Sequence, residues 1–446
     1  MKNNSDEIIV EEKIQNGINF EQSKKNNIIT EPLELRNNLS NSSFIKPISV
    51  FSLKIKIIMI TLYFILIIGL EFFYRDYLFK KSIILQENIQ RNPKNDLLLK
   101  ISKIISFFGG EVSASFFLFF IFLFMPLNYS FLILQSIIYS CYFTNVMKMI
   151  YQSDRPNWRS NYLTYYCNYE YGNPSGHSFN SINMFLCLAH IFIQYFKIKK
   201  YLFKILIFII FIFISFLITL SRIILAAHSI NQVLYGALLG IGVYAILIHI
   251  IQYHKYSSIQ FYQHIKKKRI KKIYYIFHIF LLIISILIYL FTENKDHTDI
   301  NKTIFNGIRC DIKPYYKRYK NGGLFQALAI MGIIGAQFGV DILFILLKKN
   351  NYMINYSIIE WNKNYKIKNV LLRLIISLIS SIGIILYFIV PGNMNLVLVF
   401  IFKSTLAFFL GASGIFSFGI YLCIKLKIAN KDIYKMEALH EITAEV

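Results

Sequence analysis

Apolar and polar positions along this chain are arranged in blocks rather than in a short alternating rhythm. Crossing a bilayer takes roughly 20 consecutive apolar residues. Such runs recur at 102–125, 128–150, 178–196, 202–220, 229–251, 273–291, 324–347, 369–390 and 395–424. A shorter run from Ile57 to Tyr74 carries Glu71 and reads as one more span. The pattern predicts an all-α polytopic membrane protein of ten transmembrane helices, or nine if the first run only lies on the surface. Residues 1–50 are polar and Asn-rich, with nothing to bury in a core, and read as a disordered tail without the order of a cleavable signal peptide. Residues 51–101 read as an extra apolar segment followed by a basic loop, and 102–251 as the spans of a central core. Residues 252–425 then form a C-terminal transmembrane bundle, and 426–446 a cytoplasmic tail.

The polar intervals set an orientation. Lys197, Lys199 and Lys200 fill one short loop, Lys266-Lys267-Lys268-Arg269 stand in another, Lys348 and Lys349 in a third, and Lys425, Lys427, Lys431 and Lys435 follow the last run. If the spans alternate, all four lie on one face, which the positive-inside rule makes cytoplasmic. Residues 151–177, 221–228 and 292–323 then emerge together on the opposite face.

Composition agrees with the blocks. The chain is 55% hydrophobic and only 16% charged, with mean hydropathy +0.48, whereas soluble domains carry about a quarter charged residues. Its net charge of +24 would suit nucleic acid, but the cations sit in loops between apolar runs, so nucleic acid is excluded as a partner in favour of membrane lipids. The five cysteines form no Cys-x-x-Cys pair and no His cluster at metal spacing, so no metal site and no cofactor is expected.

Against this background a few charged residues at span ends stand out. A cation beside hydrocarbon is costly and marks a functional site by default. Lys148 and Arg155 are seven residues apart, about two helical turns, so a continuing helix would aim both along one face. Pro156 disfavours helix at the residue before it, which puts Arg155 at the helix end near water. Ser175, Gly176 and His177 follow Pro174 and lead into an apolar run, where the N–H groups of a helix start attract anions. Arg222 and His228 differ by about 9 Å in rise and 120° in azimuth on an ideal helix, so they meet only across a break between spans or through long side chains. Each feature alone is also what a snorkelling cation or an interfacial turn would show. Three cations and two imidazoles on one membrane face, however, suit a phosphate ester, whose transfer needs positive charge around its oxygens, a nucleophile and an acid.

Taken in order, Lys148-x6-Arg155-Pro156, Pro174-Ser175-Gly176-His177 and Ser221-Arg222-x5-His228 resemble the three signature motifs of the type 2 phosphatidic acid phosphatase superfamily. Most members carry Asp four residues after the last His, where this chain has Gln232. That departure, with the run through Leu225-Ala226-Ala227-His228, Arg309-Cys310 and Phe402-Lys403-Ser404, is similar to the glucose-6-phosphatase branch. The resemblance covers roughly 102–425 and implies specific roles. His228 attacks phosphorus and becomes a phosphohistidine, and His177 protonates the leaving oxygen and then activates water. Lys148, Arg155 and Arg222 hold the phosphate with the Ser175 and Gly176 backbone. The residues by themselves do not choose which histidine is the nucleophile. The resemblance further implies a phosphorylated small-molecule substrate, most specifically glucose 6-phosphate. It also implies an endoplasmic reticulum membrane with the site facing the lumen, and a companion sugar-phosphate transporter.

Two rivals are weighed. A lipid phosphate phosphatase would take phosphatidic acid or a sphingoid phosphate from the bilayer, and the polar, Tyr-rich loop 151–173 favours a water-soluble substrate over it. A transporter or scaffold with retained phosphate-binding residues is opposed by the intact histidines. Two further expectations follow. Gln232 cannot replace a carboxylate as partner of the nucleophilic His, so Glu111, an acid inside the second run, is expected to supply it. Cys167 and Cys310 are the two cysteines in loops, both on the non-cytoplasmic face, and an oxidising lumen would pair them.

Overall fold

The computed structural model describes residues 53–110, 113, 114, 117, 127–160, 162, 163, 165, 170–251, 268–293, 322–349, 352–354, 367–390, 396–426, 428 and 433–435. Glu111, Cys167 and Cys310 lie outside them, and so does the 1–50 tail. The described residues belong to one unit and are almost wholly helical. The exception is a three-residue antiparallel pair, β1 (Tyr352–Ile354) with β2 (Ile433–Lys435).

The helices are α1 (Leu53–Arg91), α2 (Asp96–Phe107), α3 (Leu127–Tyr151), the single turn α4 (Pro156–Arg159), α5 (Gly176–Tyr195), α6 (Tyr201–Ile224) and α7 (Ile230–Ile246). After them come α8 (Lys268–Glu293), α9 (Gly322–Lys349), α10 (Ile367–Ile389) and α11 (Val399–Lys425). α10 tightens to 3-10 geometry at Ser381–Ile385, and α11 widens to π geometry at Val399–Leu406 and Gly414–Gly419. Among the described residues seven helices are long and apolar enough to cross a membrane: α1, α3, α6, α7, α9, α10 and α11. The chain is an all-α polytopic membrane protein.

Three expectations about the elements change. Residues 75–91, read as loop, continue α1, which at 39 residues is about 58 Å long and nearly twice the hydrocarbon thickness. The charged residues after Tyr74 therefore mark where this helix leaves the membrane, not where it ends. The run expected as an unbroken span at 102–125 is interrupted: α2 starts at Asp96 and stops at Phe107, and the chain turns through Phe108–Gly110. The turn lies hard against α6, where a Cβ at Gly109 would stand 2.3 Å from Ile218 Cγ2. α5 falls outside the seven because Ser178, Asn180, Ser181 and Asn183 dilute its apolar pattern. All four are buried against protein, where such residues serve as interhelical glue. Asn183 Nδ2, for example, donates to Ser136 O at 3.0 Å and to Ser140 Oγ at 2.5 Å on α3.

α5 is the hub, packed against α3, α6 and α7, while α1 lies along α7. Inside a membrane the hydrophobic effect does not drive helices together, so close packing of small residues does. On α7 a Cβ at Gly236 would lie 2.6 Å from Ser175 O, and one at Gly240 2.7 Å from Phe179 O. The α5 and α7 backbones are thus in direct contact at the end where both motif histidines sit. The C-terminal bundle joins through a core of Tyr142, Val146 and Met149 on α3, Tyr289 on α8 and Ala327, Ile330 and Ile334 on α9.

Candidate active site

The last turn of α3, the first turn of α5 and the α6–α7 connection come to one place, and each presents its motif residue there. Lys148 is on the last turn of α3. The helix does not continue to Arg155 as its spacing suggested, because the chain leaves it at Gln152, whose φ is 45°. Arg155 instead caps α4 in extended conformation (φ −93°, ψ 156°), as Pro156 requires. Nor is it near water: Lys148, Arg155 and Arg222 are 5%, 1% and 1% exposed. Three buried cations are not snorkelling, so their charges must be met inside.

They meet at Glu170. Lys148 Nζ donates to Glu170 Oε2 at 2.6 Å, Arg155 Nη2 stands 3.6 Å from the same oxygen, and Arg155 Nε donates to the Glu170 main-chain O at 2.6 Å. Burial raises the Glu170 carboxyl, but Lys148, Arg155 and Arg222 outweigh it and hold it below the ordinary carboxylate range. Arg222 reaches in from the last turn of α6, anchored by a bond from its Nη1 to Ser106 Oγ at the end of α2. Among the described residues three buried cations gather about the Glu170 carboxylate. A phosphate monoester carries about two negative charges at neutral pH.

His228 sits on the break that brings it back toward Arg222. α6 stops at Ile224, Ala226 takes a φ of 52°, and the Ala227 and His228 N–H groups both donate to Arg222 O (3.1 and 3.4 Å). The positive φ costs roughly 1–2 kcal/mol in a residue with a Cβ, and it turns the chain so that the imidazole faces the cations. His228 Nδ1 is 2.8 Å from Gly172 O and 3.3 Å from Gln232 Oε1, and Nε2 is 3.1 Å from Arg155 Nη1. A carbonyl oxygen only accepts, so Nδ1 carries the proton and Nε2 keeps its lone pair. Burial first, then Arg155, Arg222, Lys148 and the neighbouring His177, hold this imidazole well below its ordinary pKa.

Among the described residues the oxygens at Nδ1 are neutral; Glu111, the carboxylate expected there, lies outside them. Gln232 Nε2 donates to Asp154 O at 2.6 Å, which turns its Oε1 toward the Ser229 N–H (3.2 Å) and His228. The main acceptor is a backbone carbonyl that no sequence motif names. Gly172 can stand there only as glycine: a Cβ would lie 2.4 Å from Gln232 Nε2 and 2.7 Å from Asp154 O.

His177 is in the first turn of α5, partly exposed, with its ring against the Gly109–Gly110 turn; a Cβ at Gly110 would be 3.5 Å from His177 Nε2. The Ser175 N–H, expected to hold an anion, donates instead to Gln232 O at 2.9 Å. This bond ties the α5 start to α7 and removes that donor from the set a ligand could use. Glu170 was missed by sequence reasoning. Its signal was an acid seven residues before His177 in a loop bounded by cationic motifs, and such a loop acid ordinarily looks solvated. Among the described residues no three His, Cys, Asp or Glu side chains gather as metal ligands would.

Residues 129–256 match the sequence model of the PAP2 superfamily, so the chain carries a PAP2 superfamily domain there. The matched segment runs from α3 past α7 and contains Lys148, Arg155, His177, Arg222 and His228, but neither α1 nor α2. No curated protein and no solved structure matches the chain.

Proposed function

We propose that the protein is a membrane-embedded phosphatase that hydrolyses a phosphate monoester through a phosphohistidine on His228. One observation carries this reading: His228 Nε2, deprotonated by the Nδ1 contact to Gly172 O, stands 3.1 Å from an arginine of a buried cluster already gripping a carboxylate oxygen. That arrangement joins a nucleophile to an oxyanion cradle. The PAP2 match supports the same class of reaction.

In the first step the Nε2 lone pair attacks phosphorus, the bond to the leaving oxygen breaks, and His177, entering in its imidazolium form beside the bound phosphate dianion, gives that oxygen its proton and becomes neutral. In the second, His177 takes a proton from water, hydroxide attacks phosphorus, and the phosphorus–nitrogen bond breaks to release phosphate and neutral His228. Lys148, Arg155 and Arg222 balance the charge on the non-bridging oxygens, with Gly176 at the start of α5. The imidazole becomes cationic on phosphorylation, and its Nδ1–H bonds to Gly172 O and Gln232 Oε1 strengthen as it does.

For the substrate we favour a sugar phosphate, specifically glucose 6-phosphate, cleaved on the lumenal face of the endoplasmic reticulum membrane and delivered by a companion transporter. The departure at Gln232 and the polar approach loop support this choice. Phosphate release from glucose 6-phosphate, mannose 6-phosphate and phosphatidic acid by the purified protein discriminates it from a lipid phosphatase. The chemistry is tested separately with a labelled aryl phosphate. His228→Ala traps no phosphoenzyme, whereas His177→Ala still does, because an aryl leaving group needs no acid. Label retained on His228→Ala refutes the assignment.

A further inference from the structure

α1 lies outside the segment matched to the PAP2 superfamily, yet one stripe of it is polar and fully packed. Glu71, Ser82 and Gln86 are buried. At 100° per residue, Ser82 and Gln86 lie only about 20° and 60° around the helix from Glu71. The opposite face is bare, with Phe73 78% and Leu62 59% exposed, as suits lipid. A carboxylate inside an apolar helix is costly and must be compensated.

The compensation is specific. Glu71 Oε1 accepts from Asn173 Nδ2 at 2.7 Å and from Asn231 Nδ2 at 3.0 Å. Asn173 is four residues before His177, and Asn231 is three after His228. A single oxygen therefore bridges the turn that carries one histidine and the helix start that follows the other. Farther along, Ser82 Oγ accepts from the Ile230 N–H at 2.8 Å, and Gln86 Nε2 donates to His228 O at 2.7 Å and to Ile223 O at 3.1 Å. The bonds of Glu71 and Ser82 end on residues that flank the two histidines, and those of Gln86 end on His228 O and on Ile223 O, beside Arg222.

We propose that Glu71 and Gln86 are positioning residues of the active site, and that α1 belongs to the catalytic unit by fixing the two histidine-bearing turns relative to each other. The proposal rests on the phosphohistidine reading above. In that reading the two steps demand different things. Formation of the phosphoenzyme from a substrate with a good leaving group needs His228 aligned with phosphorus. Its hydrolysis needs His177 to place water in line with the phosphorus–nitrogen bond on His228. Loosening the bridge between the turns therefore slows the second step more than the first. Phosphate affinity, set by Lys148, Arg155 and Arg222, is left alone.

The test uses the full chain, a labelled aryl phosphate and rapid quenching. Glu71→Leu is expected to lower kcat about tenfold or more, to lower KM with it so that kcat/KM falls less than kcat, and to raise the steady-state phosphoenzyme fraction above wild type. Glu71→Gln keeps an acceptor oxygen and is expected to restore kcat to within about threefold of wild type. Should Glu71→Leu fail to fold, Asn231→Ala removes one of the two bonds and leaves Glu71 held by Asn173. It is expected to shift the phosphoenzyme fraction the same way by a smaller factor. Wild-type kcat and phosphoenzyme fraction in Glu71→Leu, or in Asn231→Ala if the first does not fold, overturn the proposal. So does a Glu71→Gln as impaired as Glu71→Leu. No phosphoenzyme in the wild type overturns the phosphohistidine reading itself, and the positioning role with it.

Discussion

Gly172→Ala is the sharpest perturbation the site offers, because it replaces no catalytic side chain and no cation. Its Cβ would stand 2.4 Å from Gln232 Nε2, 2.7 Å from Gln232 Oε1 and 2.7 Å from Asp154 O. The Gln232 amide cannot swing away freely, since it is held by Asp154 O at 2.6 Å and by the Ser229 N–H at 3.2 Å. Asp154 O is main chain, and Gly172 N is itself anchored to Ser153 O at 2.8 Å. Relief comes by moving residue 172 outward, which draws its carbonyl off His228 Nδ1. Overpacking of this kind costs about 1–3 kcal/mol of stability. A hydrogen bond to a group that becomes charged is worth about 1.5–3 kcal/mol, so phosphoenzyme formation should slow by roughly tenfold to a hundredfold. KM should change little, because residue 172 does not contact the cations. The assay is rapid-quench trapping with a labelled aryl phosphate, read beside a melting curve. Gly69→Ala is the control, since a Cβ there meets nothing within 4 Å. A folded Gly172→Ala that forms phosphoenzyme within about twofold of that control refutes the role given to the carbonyl.

Glu170→Gln removes the carboxylate charge that Lys148 and Arg155 share. Inhibition by orthophosphate should tighten about tenfold, the equivalent of about 1.4 kcal/mol, and an unchanged or weaker Ki contradicts it. The His228 imidazole has a folded-state pKa well below 6.5, so between the two values the unfolded chain binds more protons than the folded one. Stability should accordingly hold above about pH 6.5 and decline as pH falls further; His228→Ala should flatten that decline, and equal slopes in both proteins reject the linkage. Cys167 and Cys310 should resist alkylation unless the protein is first reduced, and mass spectrometry that finds label on both without reduction rules out the bridge.

The fold and the site were legible to different depths. Block hydrophobicity is a strong signal, and it located α3, α6, α7, α9, α10 and α11 because a span must be apolar along its length. It misplaced the end of α1, because a helix that continues into water needs no apolar residues there, and Arg75, Asp76, Lys80 and Lys81 look like a loop. It overlooked the stop at Phe107, because Phe108-Gly109-Gly110 carries no polar side chain to interrupt the run. The cations and histidines were legible as charged letters beside apolar runs. Their convergence was not: it depends on positive φ at Gln152 and Ala226, neither of which is a residue that announces a turn. Gly172 acts through its carbonyl, which every residue has, so no side-chain pattern could single it out. Glu71 was visible as an acid in an apolar run, but its two asparagine partners lie more than a hundred positions away in sequence.

The backbone contact between α5 and α7 has a consequence for how this protein can change. At Gly236 and Gly240 the two chains touch main chain to main chain, with 2.6 and 2.7 Å left for any added carbon. Where side chains fill an interface, drift in one residue can be absorbed by another, and the distance between elements wanders with the repacking. Here there is nothing to repack. At these two positions the approach of α7 to α5 is gauged by peptide geometry, which a substitution there alters only by inserting an atom. The exposed surfaces of α1, α6 and α10 can therefore turn over freely, while the backbone contact of α5 with α7 admits only glycine at positions 236 and 240.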